Sequence, residues 1–283
     1  MSAFSISSGC DLRGLHSAFQ YGSKIKLVGG RNVRFRVGNG QRALRKRNCL
    51  RVRSSVDNLG AGVGHDYHPV VKMCGMTSAE DAAFAAQVGA VYVGMIIWPK
   101  SKRSVSWSQA KEICAAAREF GAEPVGVFVD ENAMQIEKAC DSVGLSFAQL
   151  HGEDARASAL QLPRSLKTIC VMHADPQGCL QTTISPEMEK IIDWVLVDGL
   201  EGGSGLKFDW KNFIVPELAL KKGWLLAGGL TPENVAQAVK MLRPNAVDVS
   251  SGITGPDGIR KDRKRMLAFM EAVNSSACIA IQQ

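Results

Sequence analysis

The sequence predicts a single (β/α)8 barrel, the TIM-barrel architecture, preceded by a disordered basic N-terminal segment. Three observations carry this expectation. From Pro69 onward, eight short apolar runs alternate with longer amphipathic stretches, in units of about 25–30 residues, the size of a barrel repeat. The runs are continuously apolar rather than alternating, as in a parallel sheet buried on both faces. The last two pass straight into Gly/Ser-rich turns, Trp224–Ala227 into Gly228-Gly229 and Ala246–Val249 into Ser250-Ser251-Gly252. In a barrel the loops after strands 7 and 8 commonly form a phosphate site, so the pattern implies a fold, a working face and a phosphorylated small molecule. An open doubly wound sheet is the competing arrangement. Its dinucleotide-binding form begins with GxGxxG after strand 1, whereas strand 1 here runs into Cys74-Gly75-Met76-Thr77.

Taken in order, Val70–Cys74 reads as strand 1, and Ser78 caps a helix over 79–88 made of Ala and spaced apolar residues. Strand 2 spans 90–97 and helix 2 spans 107–120. Strand 3 covers 124–129, helix 3 covers 133–142, and strand 4 covers 147–150 with a short helix over 154–160. Strand 5 is 166–172, followed by a weakly helical stretch over 176–190. Strand 6 is 194–197, and 208–220 reads as helical in part. After strands 7 and 8 come helices over 232–242 and 262–273, and the reading adds a short helix near Gly258.

Composition divides the chain. Of 283 residues with net charge +7, the first 55 hold 12 Lys/Arg against one acid, Asp11, so they carry +11 and the other 228 carry −4. A Ser- and Arg-rich, acid-poor N-terminus without an apolar core has the character of an organelle transit peptide, assigned here to residues 1–60, with the barrel over 66–278. A basic arm for nucleic acid is the other reading of such a segment. The acidic remainder has no basic footprint for nucleic acid, and no run approaches the ~18 apolar residues of a membrane span. Six cysteines fall in the barrel, none in a CxxC or metal spacing.

Catalytic groups in a barrel come from the C-terminal ends of strands. Cys74 ends strand 1 and Asp198 ends strand 6. As a thiolate base and a carboxylic acid, the pair could divide proton transfer near neutral pH; a packed thiol and a turn aspartate are the bland alternatives. Arg103, in a Lys/Ser loop, is either solvated or a bidentate clamp on an anion. His151, after strand 4, is as readily structural as functional. Gly203 lies in a Gly-Gly-Ser-Gly loop suited to closing over a ligand. Gly228, Gly229, Ser250 and Ser251 suit an anion-binding concavity, and Asp248 lies on strand 8 beside them.

Six segments carry a resemblance: Lys72-Met-Cys-Gly-Met-Thr, Pro99-Lys-Ser-Lys-Arg-Ser-Val-Ser, Gln149-Leu-His-Gly-Glu, Asp198-Gly with Gly202-Gly-Ser-Gly-Leu-Lys-Phe-Asp-Trp, Leu226-Ala-Gly-Gly-Leu-Thr-Pro-Glu-Asn-Val, and Val247-Asp-Val-Ser-Ser-Gly. In that order they resemble phosphoribosylanthranilate isomerase of the tryptophan pathway, from about Val70 to Val273. Lys102 stands where the family commonly has Pro, and Ser204 where it often has Thr. The resemblance implies an Amadori rearrangement of an aminoaldose to an aminoketose, without metal or other cofactor. It implies Asp198 as acid, Cys74 as base and Arg103 on the anthranilate carboxylate. It further implies phosphate at Gly229 and Ser250–Ser251, with Asp248 and His151 as orienting residues. A related phosphosugar barrel such as indole-3-glycerol-phosphate synthase would place Lys at position 74, and a ribotide isomerase Asp. The third alternative is a barrel that only binds. The basic segment then resembles the plastid transit peptide of the plant enzymes, read by the import machinery, with the barrel in the stroma as a monomer or homodimer.

Overall fold

The computed structural model describes residues 67–199, 208–215 and 220–277. The assigned transit segment 1–60, the barrel limits at 66 and 278, and the glycine loop with Gly203 lie outside the described residues.

Eight strands close into one parallel ring in chain order, β1 pairing with both β2 and β8. They are β1 (Val70–Met73), β2 (Tyr92–Ile96), β3 (Glu123–Phe128), β4 (Phe147–Leu150), β5 (Lys167–Ala174), β6 (Trp194–Gly199), β7 (Trp224–Leu226) and β8 (Ala246–Val249). The doubly wound alternative is thereby excluded. Alternate residues of each strand face the axis. The lower interior is a dry plug in which Tyr92, Phe147 and Trp194, from β2, β4 and β6, meet edge to face at centroid distances of 5.3 and 6.2 Å. Val125, Ile169 and Leu225, from the odd strands, fill the spaces between them. The outward residues form a second core with the helices, through Val93, Met95, Val195 and Val247 among others.

The helices begin where side chains satisfy their first N–H groups. Ser78 Oγ accepts from Asp81 N at the start of α1 (Ala79–Gln87). Reciprocal capping boxes, Ser106 with Gln109 and Asn132 with Gln135, open α2 (Trp107–Glu119) and α3 (Ala133–Val143). Next come α4 (Glu153–Ala157) with a 3-10 turn at Ala159–Gln161, α5 (Pro186–Glu189), α6 (Val235–Leu242) and α7 (Arg263–Ala277).

Two expected helices differ, and a third, over 208–220, lies partly outside the described residues. Most of 176–190 is loop, because Asp175 Oδ1 takes the N–H groups of Gln177 and Cys179 and Gly178 adopts φ +83°. That local bonding competes with a helix, and only Pro186–Glu189 coils. The described residues 208–215 form a turn rather than a helix. No helix forms near Gly258 either. Gly255-Pro-Asp-Gly makes a β-turn, Gly258 N donating to Gly255 O at 3.0 Å, while a 3-10 turn at Ser251–Ile253 directly follows β8.

Candidate active site

The C-terminal ends of the strands surround a cavity of about 400 Å3, within the range of small-molecule sites. Cys74, Arg103, His151, Asp198, Asp248 and Ser250 all line it. The parity of the barrel explains this convergence. Cys74, Asp198, Asp248 and Ser250 continue the inward-facing series of β1, β6 and β8, so each lies above the apolar plug.

Cys74 is almost wholly buried but opens onto the cavity. Two residues below it on the same face, Lys72 is fully buried and its Nζ donates to Asp248 Oδ1 at 2.7 Å. The two residues are register partners on β1 and β8. Burial opposes the Lys72 ammonium, but the Asp248 carboxylate and the nearby Cys74 sulfur together hold it above its ordinary value.

Asp198 opens to the cavity on one side and is enclosed by protein on the others. Burial, and then the charge of Asp248, push its carboxyl up to about 7, against the pull of the Gly199 N–H and Lys72. Its Oδ1 accepts from Gly199 N at 2.8 Å. Gly228, at φ +80°, lies against it: a Cβ there would stand 3.0 Å from that oxygen and 2.9 Å from Gly199 N. Gly228 therefore shapes the acid's enclosure.

Arg103 is drawn inward because its loop folds back on β2, Val105 N donating to Ile96 O at 3.0 Å. The loop's outer part is tied to Asp130, which accepts from Trp98 Nε1 and Lys100 Nζ, each at 2.8 Å. Arg103 Nη1 donates to Ser250 Oγ at 3.0 Å, Ser250 Oγ donates to the Cys74 carbonyl at 3.0 Å, and Lys261 Nζ donates to the Ser250 carbonyl at 2.9 Å. Burial, followed by the neighbouring Arg103 charge, pushes the Lys261 ammonium down to about 7. Gly75, at φ +74°, leaves room for this cluster, since a Cβ would meet Ser250 Oγ at 2.9 Å.

On the opposite wall the His151 ring packs edge to face with His173, centroids 5.3 Å apart. Burial, with His173, Lys72 and Arg156 adding to it, pushes His151 down to about 4, so it is neutral at pH 7. Arg103 Nε, Gln149 Oε1 and His151 Nδ1 are buried without a hydrogen-bond partner. Buried polar atoms are ordinarily satisfied, so three such atoms around one cavity mark a place for a polar ligand.

Gly229 and Ser251 do not line this cavity. They border an adjoining concavity of about 490 Å3 with Thr231, Thr254 and Arg265. The two turns thus divide: Gly228 lies against Asp198 and Ser250 lines the cavity with Cys74, whereas Gly229 and Ser251 face the neighbouring hollow. The sequence alone placed Gln149 and His173 at the ends of strands 4 and 5 without a role, and did not point to Arg156 or Lys261. Gln149 and His173 share strand parity with recognised site residues. Lys261 follows the Gly-Pro-Asp-Gly turn that returns the chain to the barrel mouth.

The comparisons agree with this geometry. The sequence profile of the family described as N-(5'-phosphoribosyl)anthranilate (PRA) isomerase matches residues 71–272. The chloroplastic N-(5'-phosphoribosyl)anthranilate isomerase 1 of Arabidopsis thaliana is 49% identical over 207 residues, covering 73% of this chain and 75% of that one. The crystal structure of the Thermotoga maritima enzyme superposes with a TM-score of 0.60 at 33% identity, covering 73% of this chain and 99% of that one. A phosphoribosylanthranilate isomerase in complex with reduced 1-(o-carboxyphenylamino)-1-deoxyribulose 5-phosphate gives 0.56 at 30% identity, with the same coverage. A closed eight-stranded barrel, a polar cavity at its strand ends and a profile match across the whole ring converge: this chain belongs to the N-(5'-phosphoribosyl)anthranilate isomerase family.

Proposed function

We propose that Asp198 is the general acid and Cys74 the general base of the family's reaction in this barrel. That reaction is the Amadori rearrangement of N-(5-phosphoribosyl)anthranilate, an aminoaldose, to 1-(2-carboxyphenylamino)-1-deoxyribulose 5-phosphate, an aminoketose, in tryptophan biosynthesis. The observation that carries the assignment is an aspartate raised to about 7 on the same cavity as a strand-end cysteine.

Protonated Asp198 gives its proton to the ribose ring oxygen. The C1′–O bond breaks as the anilino nitrogen lone pair forms a C=N bond, opening the ring to an iminium. The Cys74 thiolate takes the proton from C2′, and the C2′–H electrons flow to the iminium and leave a neutral enolamine. This tautomerises to the ketone, the enol proton leaving as C1′ gains one. The proton given at oxygen balances the one taken at carbon, and exchange with water resets both groups. Arg103, with its unpartnered Nε, clamps the anthranilate carboxylate. His151 and Gln149 orient the opened chain. The loops at Gly229 and Ser250–Ser251 take the phosphate. Asp248 keeps Asp198 protonated through its charge.

Residues 1–60 direct the chain through the import machinery to the plastid stroma; their basic, acid-poor composition and the chloroplastic plant relatives support this. The chain acts as a monomer or a homodimer.

The test follows loss of substrate fluorescence on mixing protein with freshly made phosphoribosylanthranilate. Cys74→Ala and Asp198→Asn each lower kcat by ~10²–10⁴-fold, the range of a positioned acid or base, while far-UV circular dichroism stays unchanged. Full turnover by either folded variant overturns the assignment.

A further inference from the structure

Among the described residues, Lys72 has the largest side chain that is fully buried, and nothing in the reaction above uses it. A lysine is almost never enclosed without a partner that justifies its charge. Lys72 has two. Its Nζ bonds to Asp248 Oδ1 at 2.7 Å, and the Cys74 sulfur is the second polar group near it. Two residues apart on one strand, Lys72 and Cys74 point to the same side. A side chain at Gly94, on β2, would occupy the space they share: its Cβ would stand 2.5 Å from Cys74 Sγ and 3.1 Å from Lys72 Nζ.

We propose that Lys72 is the positioning residue that holds the Cys74 sulfur as a thiolate, one buried ammonium being shared between that sulfur and the Asp248 carboxylate. The proposal rests on Cys74 being the base. Other charged groups also face Cys74: Asp248 from β8, Asp198 from β6, Arg103 from the loop after β2 and Lys261 from the loop after β8. Arg103 and Lys261 are bonded to Ser250, above the sulfur, and Arg103 lines the cavity. Lys72 alone of the three cations lies beneath the sulfur, sealed from water, so its charge is constant while substrate enters and leaves. A cation beside a thiol stabilises the nucleophilic, basic thiolate. The shared ammonium links the two catalytic groups as well. It accompanies the Asp248 charge that raises Asp198, so one buried pair favours proton release at one residue and proton retention at the other.

Cys74 opens onto the cavity, so its thiolate fraction is measurable without turnover. The full chain is treated with iodoacetamide over a range of pH, and modification of the Cys74 peptide is timed by mass spectrometry. Lys72→Met keeps the shape but leaves Asp248 unpaired; Lys72→Met/Asp248→Asn removes both charges and guards against a folding defect. In both variants alkylation at pH 7 slows at least about tenfold and its midpoint rises by one pH unit or more, one unit being a tenfold change in thiolate. Variants that unfold cooperatively yet alkylate at Cys74 with the wild-type profile overturn the proposal. If instead Cys74→Ala turned over normally, the base assignment would fall on its own, whatever the alkylation profile of the lysine variants.

Discussion

At the scale of single residues, burial and charge set the titration of one site group, Asp198. Burial, and then the charge of the nearby Asp248 carboxylate, raise Asp198 to about 7. With Asp198 as the proposed general acid, the protonated form is the active one, so kcat/KM falls as pH rises through that value. Asp248→Asn removes the repulsion and leaves the Lys72 ammonium without its partner; both changes favour the Asp198 anion. The alkaline limb of the pH profile therefore moves to lower pH, as rate measurements from acid to alkaline buffer will record. An unmoved limb would mean that Asp248 does not set the acid. Cys74, Asp198 and Arg103 were legible in the sequence because each ends a strand or follows one. Lys72 was not, because a lysine in an apolar strand reads as an ordinary polar interruption. Its signal was parity, two residues before a site cysteine. Gln149 carries the same mark, two before His151. The unpartnered state of Gln149 Oε1 and His151 Nδ1 is a property of packing and has no trace in the sequence.

At the scale of elements, strands were read more securely than helices, for a physical reason. Each strand is buried on two faces and declares itself by unbroken apolar character. The helices depend on caps, which can be outbid locally. Asp175 and Asp257 each bind two following N–H groups and turn the chain where amphipathic spacing suggested a helix. Where caps are reciprocal, the reading held. Ser106 and Gln109 open α2 immediately after the loop that carries Arg103. Ser106→Ala removes an acceptor from the first turn and costs about 1 kcal/mol, seen as a lower urea midpoint with an unchanged slope. Because Val105 still pairs with Ile96, substrate affinity changes little. A large rise in KM would show that the cap also holds the loop. The phosphate turns divide for a similar reason. Gly228 and Gly229 both take positive φ, so the chain swings away from the axis between them and adjacent residues face different hollows.

At the scale of the whole molecule, the fold class was legible because eight units in succession leave few other closed arrangements, and the family because six motifs recur in order along them. The charge division makes a prediction of its own. Every described site residue lies between Lys72 and Arg265, so a chain lacking the first 55 residues keeps kcat/KM within about twofold, surface changes away from a site being nearly neutral. Its net charge goes from +7 to −4, and it passes through a cation exchanger that retains the full chain. Loss of turnover in that shortened protein would give the basic segment a part in the site. The ring closes where β1 meets β8, and at that seam Lys72 meets Asp248, 176 residues later in the chain. As the polypeptide leaves the ribosome, the lysine emerges early and its counter-ion near the end. Until the last strand docks, the first strand has a cation it cannot bury at low cost, and the cysteine above it is not yet seated in a finished pocket. Proton-transfer capability is therefore withheld from incomplete chains, and the buried pair acts as a clasp that fastens only when synthesis has run its course.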